Sequence, residues 1–292
     1  MFLVLRLAPK SIYLEKRTDY FMEIIDAHIH APATSGKDRS VRAFAKQHKI
    51  DFSGRGILRE MRANNVRRAI ALSSDTNFTF PTPIEKDNII KLAKQKGFVC
   101  VAGINPYRIS RKAIRSTEKL LANKTICGLK IYLGYAPFYP NDRKYAAFYR
   151  LARTYKVPVI FHTGDVFGSK NLVKFAHPLG IDEVAVAHPK VNFVIAHMGN
   201  PWIRDTAELL YKNPNVYADL SGIVLAGMKP SKILKNELAW AFDYVGNFRK
   251  FLYGSDWPLN RMKDYIHFMK SVVPRKHWRA VFYGNAKRLF KL

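Results

Sequence analysis

A closed (β/α)8 barrel, the TIM barrel, is the fold class this sequence predicts, and three observations carry it. Strand-length apolar runs rich in β-branched residues alternate with stretches of helical period about eight times along the 292 residues. No Gly/Ser-rich or Pro-rich linker, like-charge block or short-period repeat interrupts that alternation, and a single barrel of about 250 residues fits the length. Finally, side chains able to hold a metal fall where several of the strand runs end, the end at which such barrels place their chemistry.

In chain order, the expected strands are Glu23 to His28, Val66 to Ser73, Phe98 to Ile104, Cys127 to Leu133, Val157 to His162, Val191 to His197, Val216 to Leu220 and Lys250 to Ser255. Segments of helical period lie between them, among them Ile57 to Asn64, Ile84 to Lys96, Lys144 to Tyr155, Ile203 to Tyr211 and Ile233 to Val245. An open doubly wound sheet needs only five or six strands and normally a Gly-rich phosphate loop, and none follows the first strand here. Ala31 to Ser53 reads as one long loop after the first strand, placed to cover the site or a subunit contact. Residues 1–21 carry only a short apolar run, Phe2-Leu3-Val4-Leu5, too brief for a secretory signal; they are set apart as an arm without assigned function. The barrel is expected as one domain over 22–292.

Composition narrows the function classes. Hydrophobic residues make up 48% of the chain, ample for a core, yet no apolar run approaches the roughly 18 residues that cross a bilayer. The two cysteines, Cys100 and Cys127, sit in expected strands as buried thiols. They make neither a disulfide framework nor a thiolate zinc site, which fits a reducing, cytoplasmic setting. The formal net charge of +27 attracts polyanions, but Lys and Arg are scattered through the helices rather than gathered into an aromatic-interleaved patch. A small-molecule substrate, anionic ones included, is therefore expected over nucleic acid, for which the charge permits weak association.

The chemistry lies in four short segments: Asp26-Ala27-His28-Ile29-His30, Phe161-His162-Thr163, Ala196-His197-Met198-Gly199 and Gly254-Ser255-Asp256-Trp257-Pro258. Alternate residues of a strand share a face, so His28 and His30 can grip one ion together. Imidazole and carboxylate are the ligands of Zn²⁺ and related divalent ions, and a catalytic site needs three or four plus an open position. These segments, with the closing Gly284-Asn285-Ala286-Lys287-Arg288-Leu289-Phe290, resemble the amidohydrolase superfamily, in its amidohydrolase-related branch, over Met22 to Leu292. The resemblance implies His28, His30 and His162 as metal ligands, Asp256 as ligand and proton acceptor, and His197 as ligand or catalytic base. It also implies a hydrolase acting on a small amide, lactone or ester through metal-bound hydroxide, since a divalent ion lowers the pKa of its water to about 7. His197 is a candidate to polarise the scissile carbonyl.

Two other activities stand beside hydrolysis. Members similar to aminocarboxymuconate semialdehyde decarboxylase remove carboxyl groups from unsaturated acids with this ligand set. Related barrel deoxyribonucleases also begin with His-X-His, but they place a glutamate in the fourth strand, where this chain has Gly128-Leu129-Lys130. Lys130 is open to two readings: carbamylation to an anionic ligand bridging two metals, as in some superfamily members, or a charged contact to an anionic substrate at a single metal. Ser73, Ser74, Asn105, Tyr132, Thr163, Asp219 and Ser221 are further polar candidates near strand ends, and Trp257 is expected to wall the pocket. His177 and His188 stay unassigned.

Overall fold

The computed structural model describes residues 22–30, 39–73 and 91–292. Eight parallel strands run in the order β1 to β8: Ile24–Ile29, Val66–Leu72, Phe98–Ile104, Leu129–Tyr132, Val159–His162, Phe193–Ile195, Val216–Asp219 and Phe251–Leu252. Each strand pairs with its neighbour in sequence, and β1 returns to the chain after β8. Ala27 N–H donates to Tyr253 O (2.9 Å), Asp256 N–H to His28 O (2.9 Å) and His30 N–H to Trp257 O (2.7 Å). These bonds close the cylinder through the two segments that carry the candidate ligands.

Helices α1 (Arg39–Gln47), α2 (Gly54–Ala63), α3 (Arg111–Ala122), α4 (Ala146–Tyr155), α5 (Gly180–Ala187), α6 (Ile203–Lys212), α7 (Lys232–Val245), α8 (Met262–Val272) and α9 (Asn285–Phe290) accompany the strands. Local chemistry sets several boundaries. The hydroxyls of Ser53, Ser110 and Ser231 accept from Gly56, Ala113 and Leu234 N–H, capping α2, α3 and α7, and Gly246 ends α7 at φ 62°. Among the described residues, no helix is long and apolar enough to cross a membrane.

Ile25, Ile70, Val101, Ile160, Val194 and Leu252 fill the interior, and Leu289 and Phe290 of α9 join them. The last helix thus plugs the amino-terminal end of the barrel and leaves the opposite end free for a cavity. A second, larger apolar layer packs the outer strand faces against the helices.

Three expectations change. The stretch read as a long loop, Ala31 to Ser53, contains α1, whose Val41 and Ala45 are buried at helical spacing. Several strands are shorter than expected: β6 stops at Ile195 and β8 at Leu252, so His197 and Asp256 stand on the turns beyond them. Cys127 precedes β4 rather than lying in it, and both thiols are free, with burial raising their pKa values. Residues 1–21, Ser74 and most of Ile84 to Lys96 lie outside the described residues, and 91–93 are helical.

Candidate metal centre

A bulge in β1 aims the first candidate ligands. Asp26 pairs with Ala69 and Ile29 with Ala71, so three steps along β1 match two along β2. The extra residue turns His28 toward the mouth above the inward-facing Ala27. Gly254 makes room, because a Cβ there would stand 2.7 Å from His28 Cβ. His197 (φ 58°) and Asp256 (φ 60°) both hold left-handed backbone, a conformation costing of order 1 kcal/mol or more for a side-chain-bearing residue and met mostly at functional sites. Gly222, at φ 59°, lets the chain pass between them: its Cβ would lie 2.4 Å from Asp256 Oδ2 and 2.9 Å from His197 Nδ1.

Four histidines converge at the cavity floor. The rings of His28 and His30 are 5.3 Å apart, those of His28 and His197 4.7 Å, and those of His162 and His197 5.1 Å. Asp256 Oδ1 lies 3.6 Å from His28 Nε2 and 3.3 Å from His30 Nε2, and His197 Nδ1 is 4.0 Å from Asp256 Oδ2. His28 Nε2 and Asp256 Oδ1 are buried with no hydrogen-bond partner among the described residues. Two ligands about 2.1 Å from one ion stand roughly 3.0–3.4 Å apart at tetrahedral to octahedral angles, close to the separations found. Unshared lone pairs facing an ionised carboxylate repel unless a cation lies between them. The residues present therefore fit a divalent ion held by His28, His30 and Asp256.

Hydrogen bonds fix which nitrogen each ring offers. His28 Nδ1 donates to Asp219 Oδ2 (2.9 Å), leaving Nε2 as the free lone pair. His197 Nδ1 meets two acceptors, Ser221 O (3.1 Å) and Ser221 Oγ (3.0 Å), whose hydroxyl proton goes to Asp219 Oδ1. The proton of His197 thus sits on Nδ1, and Nε2 presents a lone pair suited to a metal or to a proton. His162 Nε2 donates to Asp165 O (3.0 Å); the ring lines the cavity outside the His28, His30, Asp256 group.

Burial pushes His28 down to about 4, against the pull of Asp219, and lowers His162 and His197 as well. All three rings are neutral at pH 7, the form that binds metal. Burial alone would raise Asp256 and Asp219, but the surrounding imidazoles hold both carboxyls well below the usual carboxylate range.

Asp219 emerges as the organiser of the site. It reaches no cavity surface; Oδ2 takes His28, and Oδ1 accepts His197 N–H (3.1 Å) and Ser221 N–H (3.1 Å). Asp219→Asn should therefore weaken metal affinity by about 10–100-fold with little change in thermal unfolding of the metal-free protein. A chelator-competition titration reads the first quantity and calorimetry the second.

The remaining candidates separate cleanly. Tyr132 and Thr163 line the cavity, with Tyr132 Oη donating to Ser73 O (3.2 Å) and Thr163 Oγ1 to Ala196 O (2.6 Å). Ser73 spends its hydroxyl on Val101 O. Trp257 does not wall the pocket; past the left-handed Asp256 its ring packs on Phe52 (5.3 Å), and its Nε1 faces Glu60. Asn105 holds a turn at Tyr107. His177 packs at a tilt on Trp202 and His188 on Tyr149, both away from the cavity. Tyr135, Asn200 and Phe44 of α1 line the cavity and were not singled out from the sequence.

The amidohydrolase family model matches residues 25–292. This chain belongs to the amidohydrolase family. No curated protein matches it. Among solved structures, this amidohydrolase is similar to an uncharacterised TIM-barrel protein from Bordetella bronchiseptica (18% identity, TM-score 0.75, covering 92% of this chain and 98% of that one). It is also similar to a probable 2-pyrone-4,6-dicarboxylic acid hydrolase from Acinetobacter baumannii with citric acid bound (17%, 0.65, 93% and 100%). A third is a dihydroxybenzoic acid decarboxylase from Polaromonas sp. with manganese and the inhibitor 2-nitroresorcinol (17%, 0.64, 92% and 97%). At such identities these likenesses establish the barrel.

Proposed function

We propose that this amidohydrolase is a divalent-metal-dependent hydrolase that cleaves a C–N or C–O bond in a small amide, lactone or ester. The observation that carries the reading is the buried, unpartnered Asp256 Oδ1, 3.6 Å from His28 Nε2 and 3.3 Å from His30 Nε2. His28, His30 and Asp256 hold the ion, with His162 Nδ1 and His197 Nε2 as further donors at the same mouth. We infer Zn²⁺ from the imidazole-rich donor set, with manganese, present in one similar structure, as the alternative. When bound, the ion polarises a substrate carbonyl and makes water a competent nucleophile at neutral pH.

The protein's own residues supply the proton path. Neighbouring imidazoles keep Asp256 ionised, so in the resting site it accepts a proton rather than donating one. Water oxygen adds to the carbonyl carbon, its proton passes to the Asp256 carboxylate, and that proton leaves on the departing nitrogen or oxygen as the C–N or C–O bond breaks. With its proton on Nδ1, His197 fits the ligand or base role better than carbonyl polarisation. The cavity, about 230 Å³, takes a small molecule. The two free thiols fit the reducing cytoplasm.

Decarboxylation of an unsaturated acid is the second reading. Phe44, Ile223, Leu225, Met228 and Leu259 give the cavity an apolar wall that suits a flat unsaturated skeleton. A panel of lactones, esters and amides followed by proton release, alongside unsaturated and aromatic acids followed by CO₂ release, separates the two. Proton release that vanishes on chelation and returns with Zn²⁺ or Mn²⁺ is the expected result; CO₂ release alone would transfer the assignment to decarboxylation.

A further inference from the structure

Lys130 is a wholly buried titratable side chain in the cavity wall that the proposed proton path leaves unused. It extends from β4 between Leu129 and Ile131, is 0% exposed, and its Nζ has no hydrogen-bond partner among the described residues. Its Nζ lies 5.4 Å from the ring centroid of its strand-mate Tyr132. An ammonium taken out of water without hydrogen bonds is costly, and a fixed one is kept where something arrives to pair with it. The other deeply buried lysine of the described barrel shows the contrast: Lys250 gives Nζ to three carbonyls, those of Asn213, Pro214 and Val216. Lys130 has nothing comparable, and it faces the cavity.

The Asp219 and Asp256 carboxylates act on Lys130 from the site, yet neither lies within hydrogen-bond reach of Nζ. Tyr132 and Tyr135 flank this region and supply flat apolar surface beside it.

Resting on the metal-dependent reading above, we propose that the substrate carries a carboxylate group beside the bond that reacts and that Lys130 Nζ is its counter-ion in the cavity. The lysine is then a specificity-determining residue, and neutral amides, lactones and esters are poorer ligands than their acidic analogues.

The test uses the full-length protein, with its bound metal quantified by elemental analysis, and two probes of matching shape, benzoate and benzamide. Titration calorimetry on the wild type should show benzoate binding at least about tenfold more tightly than benzamide, the size expected of a charge-assisted hydrogen bond. Lys130→Met should retain the wild-type metal content and lose about tenfold or more in benzoate affinity, with benzamide little changed. Benzoate no better than benzamide in the wild type would overturn the proposal, and that comparison stands even if the variant fails to fold. Unchanged benzoate affinity in the variant would also overturn it, since the carboxylate would then be held by the ion alone. Loss of metal from Lys130→Met would overturn it in favour of a bridging, carbamylated lysine. A wild-type protein that takes up no divalent ion would instead sink the metal-dependent reading itself.

Discussion

Asp256→Asn is expected to lower kcat by about 10²–10⁴-fold while the barrel stays folded, because the amide keeps the shape of the carboxylate but neither accepts a proton nor balances a divalent charge. The backbone contribution of the position survives: Asp256 N–H still donates to His28 O, and the left-handed turn at φ 60° is one that asparagine adopts readily. KM should move little if the group acts on the proton rather than on substrate binding. Steady-state kinetics with the best substrate of the panel, together with thermal unfolding, decides the matter. A variant with near-wild-type kcat would remove Asp256 from the proton path.

His30→Ala should abolish metal retention, and His28→Ala/His30→Ala should do so completely, with plasma mass spectrometry falling from about one ion per chain to none. The single variant is the cleaner probe. His30 Nδ1 has no hydrogen-bond partner, whereas deleting His28 also strips Asp219 of its 2.9 Å contact and leaves a buried carboxylate short of a donor. In the wild type, chelation should lower the melting temperature by roughly 10 °C, the shift expected when a ligand at about 1,000 times its Kd is withdrawn from a domain of this size. His30→Ala should melt where the chelated wild type does. A variant that retains its ion would place the metal elsewhere.

Much of this site is legible in the sequence because barrel geometry is repetitive. Once apolar runs alternate with helical ones, a ligand-type residue at the end of a run belongs at the mouth, and that reasoning brings His28, His30, His162, His197 and Asp256 to one cavity. What the sequence hides is anything that breaks the period of two. Strict alternation from Ile25 and Ala27 puts His28 on the outer face, and only the bulge between Asp26 and Ile29 brings it back. The left-handed turn at Asp256 likewise redirects Trp257 away from the pocket. Asp219 was legible as a strand-end carboxylate, but its partnership with a histidine 191 residues away was not. The helix α1 left a readable trace, Val41, Phe44, Ala45 and His48 at helical spacing, in a stretch whose polarity favours a loop.

The bonds that close the cylinder run from Ala27, His28 and His30 to Tyr253, Asp256 and Trp257. First and last strands therefore meet at the same place as the candidate ligands, and a bound ion would act as a clasp across the long loop between β1 and the turn after β8. Loop closure over so many residues is an entropic cost that a single strong cross-link offsets efficiently. Assembly of the candidate site must then wait until the final strand has docked, so a nascent or carboxy-terminally nicked chain is expected to be inert however well its first seven strands have folded. Hydrogen exchange at the amides of His30 and Asp256 should slow together on metal addition, reporting the clasp directly.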